Sequence, residues 1–211
     1  MLAAGPSLAS PPSPATSTVP CGIVLAGVNE HGLPDPAAAF TVVQRNIDGS
    51  PTLWPLVLDL SGCPEISVCA VRVTPAVDVS CDPATRRITF GVSPYGQLTI
   101  TLIGSTRRIA APATSGTMQV YAGLMLLTDG FFHPPVTVAA FDQTGGDGLT
   151  MADFSLVLGD EFDPAYHARS DFDHGVACQS LVSGTDLSLW LTSFFNGYVR
   201  GCDAQGAGLC P

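Results

Sequence analysis

A β-sandwich followed by a small helical module, mainly β overall, is the fold class the sequence predicts, and three observations predict it. Between Cys21 and about Ala140, short runs rich in β-branched and aromatic residues alternate with turn signals. From Phe141 onward the apolar residues recur at the three-and-four spacing of a helix face. The 211 residues are 46% hydrophobic with a mean hydropathy of +0.34, ample material for a packed core.

Residues 1–20 are an uncharged Pro/Ser/Ala/Thr stretch without periodicity, the composition of an extended linker or a stalk carrying sugars on its hydroxyls. Such a segment either packs on its own domain or runs onto a neighbouring subunit by strand addition at a sheet edge. Met1 to Ser10 lack the basic start and long apolar run of a signal peptide, so the chain is either a mature sequence or one whose signal lies outside it.

Residues 21–140 then predict strands at Ile23–Val28, Phe40–Arg45, Leu53–Leu60, Val71–Val79, Arg86–Val92, Leu98–Ile103, Met118–Leu127 and Val136–Phe141. Asp48-Gly49-Ser50-Pro51, Ser93-Pro94-Tyr95-Gly96 and Thr128-Asp129-Gly130 separate them, each a turn by its own chemistry. Strands at this spacing over about 120 residues read as a β-sandwich. Trp54 falls in a strand and Trp190 on an apolar helix face, so both are core residues rather than sugar platforms. Arg86-Arg87 and Arg107-Arg108 stand at strand ends, where arginine protects edges and aids solubility.

The segment from Ala38 to Pro51, with its Asp48-Gly49-Ser50-Pro51 turn, and Leu56 to Ser61 after it resemble the second and third strands of bacterial Ig-like domains of the invasin type. Tyr95-Gly96-Gln97-Leu98-Thr99-Ile100-Thr101-Leu102 is similar to a later segment of that family. The resemblance covers about half the chain and implies an Ig-like β-sandwich. It also implies a secreted or surface spacer and adhesion role rather than a chemistry.

Residues 141–211 carry a duplication. Asp153-Phe154-Ser155-Leu156-Val157-Leu158 recurs as Asp186-Leu187-Ser188-Leu189-Trp190-Leu191, and Phe162 recurs as Phe195 at the same offset. Phe154, Val157, Leu158 and Phe162 line one helix face; Leu187, Trp190, Leu191, Phe194 and Phe195 line another. Two short helices packed face to face are expected.

Before each helix lies a cluster of glycines and oxygen-bearing side chains. Asp142 to Asp153 is a twelve-residue loop with acids at both ends. Asp171-Phe172-Asp173-His174-Gly175, closed by Asp186, has the same ends with four extra residues, Cys178 among them. A calcium ion needs about six to eight oxygens from alternating positions, a glycine for the sharp turn and a last carboxylate at a helix start. The competing reading is that Asp153 and Asp186 cap helix N-termini, accepting backbone N–H bonds and complementing the dipole. Capping does not explain the acids before each turn, which crowd together unless a cation neutralises them.

A duplicated loop and helix of this kind resembles a dockerin module. The resemblance implies that Asp142, Thr144 and Asp153 take places one, three and twelve of a first calcium site, with Leu149 at the family's apolar eighth place. Asp147 stands one place later than the central acid, so either the loop bulges at Gly145-Gly146 or the ligand set changes. In the second site Asp171, Asp173 and Asp186 match places one, three and the last, and Gly175 stands where the central acid would be. The implied cofactor is Ca²⁺.

Charge sharpens this division. Eighteen acids against eight bases give a net charge of −10, and ten of those acids face only Arg169 and Arg200 in the last third. Nucleic-acid binding is excluded by the want of clustered bases. All eight bases are arginine, so Schiff-base chemistry, a lysine P-loop and lysine isopeptide stapling are excluded too. No apolar run is long enough to span a bilayer, for which about 18 residues are needed.

Seven cysteines among eighteen prolines and twenty-two glycines point to an oxidising, extracytoplasmic setting. There is no CxxC pair, and His31, His133, His167 and His174 stand at no zinc-ligand spacing, which favours disulfides over metal thiolates. Cys21, Cys63, Cys69 and Cys81 can pair among themselves in three ways. If Cys178 closes to Cys202, Cys210 is left free or joins another chain. Asp160, Glu161 and Asp163 read as solvated surface rather than a glycosidase pair, and no nucleophile elbow exists.

The expected organisation is therefore an N-terminal extended segment (1–20), an Ig-like sandwich (21–140) and a dockerin-like calcium module (141–211). The expected function is non-enzymatic: a secreted or cell-surface, calcium-stabilised subunit of an extracellular assembly such as a filament, which self-associates. The alternative is a docking module that binds a cohesin-like partner through polar residues such as Ser155 and Ser188 on the two helices.

Overall fold

The structure, a computed structural model, describes residues 10–106, 117–145, 148–174, 178 and 181–201. Its framework is two β-sheets. Strands β1 (Gly22–Leu25), β2 (Phe40–Val43), β3 (Leu56–Asp59), β4 (Ile66–Thr74), β5 (Val79–Asp82), β6 (Arg87–Phe90), β7 (Gln97–Thr106), β8 (Thr117–Ala122), β9 (Met125–Leu126) and β10 (Val136–Ala140) are followed by helices α1 (Met151–Phe162) and α2 (Gly184–Phe195). One sheet runs β2-β7-β4; the other runs β1-β10-β8-β3-β6-β5, with β9 paired to β8. Every pairing is antiparallel except β1 with β10, which is parallel.

Alternation puts one face of each strand inside. Leu56 and Leu58 on β3, Leu98, Ile100 and Leu102 on β7, and Met118, Val120 and Ala122 on β8 are all buried at a period of two and meet in one core. A parallel bridge from Ala26 to Ile103, just past β1, ties the edge of the larger sheet to β7 of the smaller one.

Two expected strands divide. The run expected at 71–79 is the end of β4 and the start of β5, parted at Pro75, which has no N–H to give a ladder. The run expected at 118–127 is the hairpin of β8 and β9. Gly123 turns there at φ +59°, and a Cβ on it would lie 2.5 Å from the Trp54 ring. Trp54 itself precedes β3 rather than lying in a strand, and packs half-buried against the core. Arg86 is no solubility device: its guanidinium donates to the carbonyls of Leu60, Cys63 and Ile66 and so holds the β3–β4 connection. Arg87 pairs with Asp59 at 2.8 Å, and Arg107-Arg108 lie outside the described residues.

Of the two alternatives for the N-terminal segment, its described part takes the first. Thr18 and Val43 exchange backbone hydrogen bonds of 2.8 and 2.9 Å, and Ser13 N–H donates to the Arg45 carbonyl, so the segment covers the free edge of β2. Val19 plugs into the core, and His133 Nε2 lies 3.0 Å from the Pro14 and Ser17 carbonyls.

Helices and sheets are joined by a second core. Val24, Ala26 and Ala139 from the outer face of β1 and β10 meet Phe141, Leu149, Val157, Phe172 and Trp190. Trp190 Nε1 donates to the Phe141 carbonyl at 2.9 Å, and Val28 and Arg200 exchange backbone hydrogen bonds. Cys21 at the head of β1 is disulfide-bonded to Cys178, 157 residues away. Cys178 thus pairs with Cys21 and not with Cys202, which corrects the pairing expected from the sequence. Cys69 and Cys81 are disulfide-bonded as well, and Cys63 is the free thiol among the described residues. It is buried, and burial pushes its pKa up to about 12. Cys202 and Cys210 lie outside the described residues.

Candidate metal centre

Each helix is started by the same local device. In α1, Thr150 is the N-cap and Asp153 the third helical residue, together forming a capping box. In α2, Ser183 and Asp186 repeat it 33 positions on. The two carboxylates also reach backwards. Asp153 Oδ2 accepts from Thr150 N–H and Oγ1, while its Oδ1 accepts from Gln143 N–H, Thr144 N–H and Thr144 Oγ1 at 2.7–2.9 Å. Asp186 Oδ2 accepts from Ser183 N–H and Oγ, and its Oδ1 from Phe172 and Asp173 N–H. The capping alternative weighed from the sequence is therefore present in both repeats, extended into a tie that pins the start of each loop to the helix it precedes.

The offset also governs burial. Asp153, Val157 and Asp160 are the buried residues of α1; Asp186, Trp190 and Ser193 are those of α2. The helices do meet, with the Phe154 and Trp190 rings 5.5 Å apart, but Phe162 and Phe195, expected in the packed faces, are each 78% exposed. Both are the last residues of their helices, beyond the reach of the shared core. Asp160, expected at the surface, is buried: Arg169 holds it by two 2.7 Å bonds and Ser170 Oγ by a third. Gln143 joins this network through Ser170, linking the first loop to the start of the second.

The two loops part company at their first acid. Asp142 is buried and capped by its own loop, Oδ1 accepting from Gly145 N–H at 2.7 Å and Oδ2 from Gly148 N–H at 3.1 Å. Asp142, Thr144 and Asp153 are brought together, but the carboxylate oxygens of Asp142 and Asp153 already accept from N–H and O–H donors, and Thr144 Oγ1 is itself one of those donors. Leu149 packs in the second core rather than at a ligand position, and Asp147 lies outside the described residues.

In the second loop Asp171, Asp173 and Asp186 place carboxylate oxygens within 4.8 Å of one another, close enough to hold one metal ion. Asp171 is only 2% exposed; Tyr166 O–H donates to its Oδ2 at 2.8 Å, and its Oδ1 finds no hydrogen-bond donor. Burial pushes its carboxyl up to about 6, the neighbouring Asp186 and Asp173 charges add to that, and the Tyr166 hydroxyl and the His174 backbone N–H oppose it. A buried carboxylate oxygen without a donor, beside two further carboxylates, is the donor set a hard divalent cation takes. Asp171 is thus the residue that would grip the ion from within and Asp173, which is exposed, the one on the solvent side, while Asp186 would join them with oxygens that already accept from Phe172, Asp173 and Ser183.

His174 stands at no zinc-ligand spacing from the cysteines and the other histidines, and what marks it in the sequence is its place beside Asp171 and Asp173. It is 9% exposed, with Nδ1 4.0 Å from Asp171 Oδ1. Burial lowers its pKa, against the pull of the Ile23 carbonyl and the acids. With Cys21 and Cys178 these two side chains line a cavity of about 110 Å³. Comparison with protein-family models, curated proteins and solved structures found no match to this chain.

Proposed function

We propose that this protein is a non-enzymatic, calcium-stabilised structural module of an extracellular or cell-surface assembly, with an Ig-like sandwich as its scaffold and a dockerin-like helix pair as its calcium-binding part. The convergence of Asp171, Asp173 and Asp186 carries the reading, because three carboxylates this close repel one another unless a cation lies among them. The Cys21–Cys178 disulfide supports an oxidising compartment. It also fastens the same loop to the sandwich, so that an ion bound there would stiffen the junction between the two cores. Calorimetry of the chain in millimolar Ca²⁺ and in chelator, with light scattering under both conditions, tests it. A rise in Tm and association beyond the monomer are expected with Ca²⁺. An unchanged Tm and a monomer throughout would overturn the reading.

A cohesin-type docking role is the second reading, favoured by one observation. The helices expose equivalent positions, Ser155 with Ser188 and Phe162 with Phe195, so the duplication offers a partner two similar faces. Capture by an immobilised cohesin-like domain, reversed by chelator, would support this reading; its absence would leave assembly by self-association.

A further inference from the structure

We infer that the end of the two sheets opposite the helices is the surface on which a second copy of this chain docks, apolar end against apolar end. The inference names the partner and the place for the self-association read above, and it rests on that reading. Its own support begins with strand register. Val79, Phe90, Leu56 and Ala122 lie in one row across the larger sheet, so the start of β5, the end of β6, the start of β3 and the end of β8 share one end. Val43 opposite Gln97 puts the end of β2 and the start of β7 there too, because the β2–β3 and β6–β7 connections join the two sheets at that end.

The turns at this end carry Ile47, Leu53, Val92, Tyr95, Leu124 and Met125, all exposed, Leu124 by 97% and Ile47 and Tyr95 by 71% each. The backbone holds them out. Asn46 Oδ1 accepts from Asp48 and Ser50 N–H around Ile47, Ser93 Oγ accepts from Tyr95 and Gln97 N–H, and Gly123 N–H donates to the Pro55 carbonyl beside Leu124. Six such side chains present on the order of 600 Å² of apolar surface, the upper range for a monomer and near the roughly 800 Å² that each partner gives to a standard interface. Val77, Gly91 and Val92 line a shallow cavity of about 420 Å³ at the same end, room for a leucine side chain, so one surface offers both a knob and a hole.

Charge identifies the occupant as a copy of the chain. The charged groups at the rim are Asp48, Asp78 and, two residues short of the end of β4, Arg72, all exposed. A two-fold axis gives each arginine the partner's acids to meet, so the rim is self-complementary. An anionic lipid surface would meet two acids and one base here, in a chain without lysine. The rest of the charge lies away from this end. β10 runs antiparallel to β8 and leaves it at Thr117, so the loop–helix repeats follow from the opposite end of the sheet from Leu124. An end-to-end pair holds the two acidic regions apart, whereas a contact through the helices would bring together two regions that each carry ten acids against two arginines.

Sedimentation equilibrium of the full, disulfide-intact chain in chelator and in millimolar Ca²⁺, with calorimetry alongside, tests this for the wild type, Leu124→Glu, Val92→Glu and Arg72→Glu. The wild type is expected to dimerise in chelator with a Kd of about micromolar order, and more tightly in Ca²⁺, which lowers the net charge. Leu124→Glu and Val92→Glu should each weaken the dimer by about tenfold to a hundredfold, and Arg72→Glu, which makes the rim wholly acidic, by about tenfold. All three should keep the wild-type rise in Tm with Ca²⁺. A wild type that stays monomeric in both conditions, or a dimer indifferent to Leu124→Glu and Val92→Glu, would overturn the inference, and a Tm that still rises with Ca²⁺ would leave the calcium part of the proposed function standing. A dimer that depends on Leu124 and Val92 in a chain whose Tm ignores Ca²⁺ would do the reverse. A monomer that floats with phosphatidylcholine vesicles, and ceases to in Leu124→Glu, would also overturn the inference and give this end to a lipid surface.

Discussion

The two loop–helix repeats are built alike where they cap a helix and unlike where they meet the β-sheets. Asp153 and Asp186 occupy the same place, close the same capping box and tie down the same two backbone N–H groups of the preceding loop. In the first repeat the leading acid is satisfied by backbone N–H of its own loop, so the repeat is complete as it stands. In the second, four extra residues carry the chain to Cys178 and the head of β1, and the leading acid is left with an oxygen facing a histidine. A duplicated element has thus kept its helix start in both copies, while only the first copy has both oxygens of its leading acid bonded to N–H groups of its own loop.

The largest way to sharpen this difference is to cut the covalent tie. By loop entropy a cross-link spanning 157 residues constrains the unfolded chain by about 5 kcal/mol. Cys21→Ser with Cys178→Ser is expected to lower the urea midpoint by several kcal/mol equivalent. Hydrogen exchange should accelerate around Phe172 and Asp173 more than around Gln143 and Thr144. Equal acceleration in both loops would break the distinction, because the first loop is held by hydrogen bonds from within its own repeat.

Next come the shared caps. Asp153→Ala leaves five donors without their acceptor and Asp186→Ala four, so each should destabilise the metal-free protein by about 3 kcal/mol. Added Ca²⁺ should separate them. Asp153→Ala keeps the wild-type rise in Tm, whereas Asp186→Ala, missing from the acidic cluster, loses it. The two substitutions responding alike to the cation, by calorimetry, would place the ion elsewhere or nowhere.

What could be read from the sequence follows from how local each signal is. The strands beginning at Phe40, Gln97 and Val136 and both helices were legible, to within a residue or so at their starts, because their apolar periods and flanking turns are local. The duplication was legible too, and the burial of Asp153, Val157 and Asp160 against Asp186, Trp190 and Ser193 obeys its offset. The outward position of Phe162 and Phe195 was not, because helical periodicity does not say where the neighbouring surface ends. Nor was the Cys21–Cys178 pairing, which depends on β1 lying parallel to β10, a long-range contact with no local signature. Asp160 looked like surface charge because its partners, Arg169 and Ser170, are brought back to it only by the fold. The candidate site was visible as acids and glycines, but which loop leaves a carboxylate oxygen without a donor depends on backbone N–H directions, and composition is silent on those.

The smallest expected effects differ in sign, which makes them the finest probe of the comparison. Asp142→Asn exchanges one accepting oxygen for an amide NH₂ that must face the N–H of Gly145 or Gly148, so a loss of about 1–2 kcal/mol is expected. Asp171→Asn makes the opposite change. The amide oxygen still accepts from Tyr166, the NH₂ replaces an oxygen that has no donor and faces His174, and the repulsion from Asp173 and Asp186 falls. In chelator this variant should equal or exceed the wild type in urea unfolding. In Ca²⁺ it should fall below it, because the wild type gains from the ion and the variant does not. A destabilised Asp171→Asn in chelator would mean that its carboxylate is held by the loop as Asp142 is, and the two repeats would then be structural copies with no vacancy for a ligand in either.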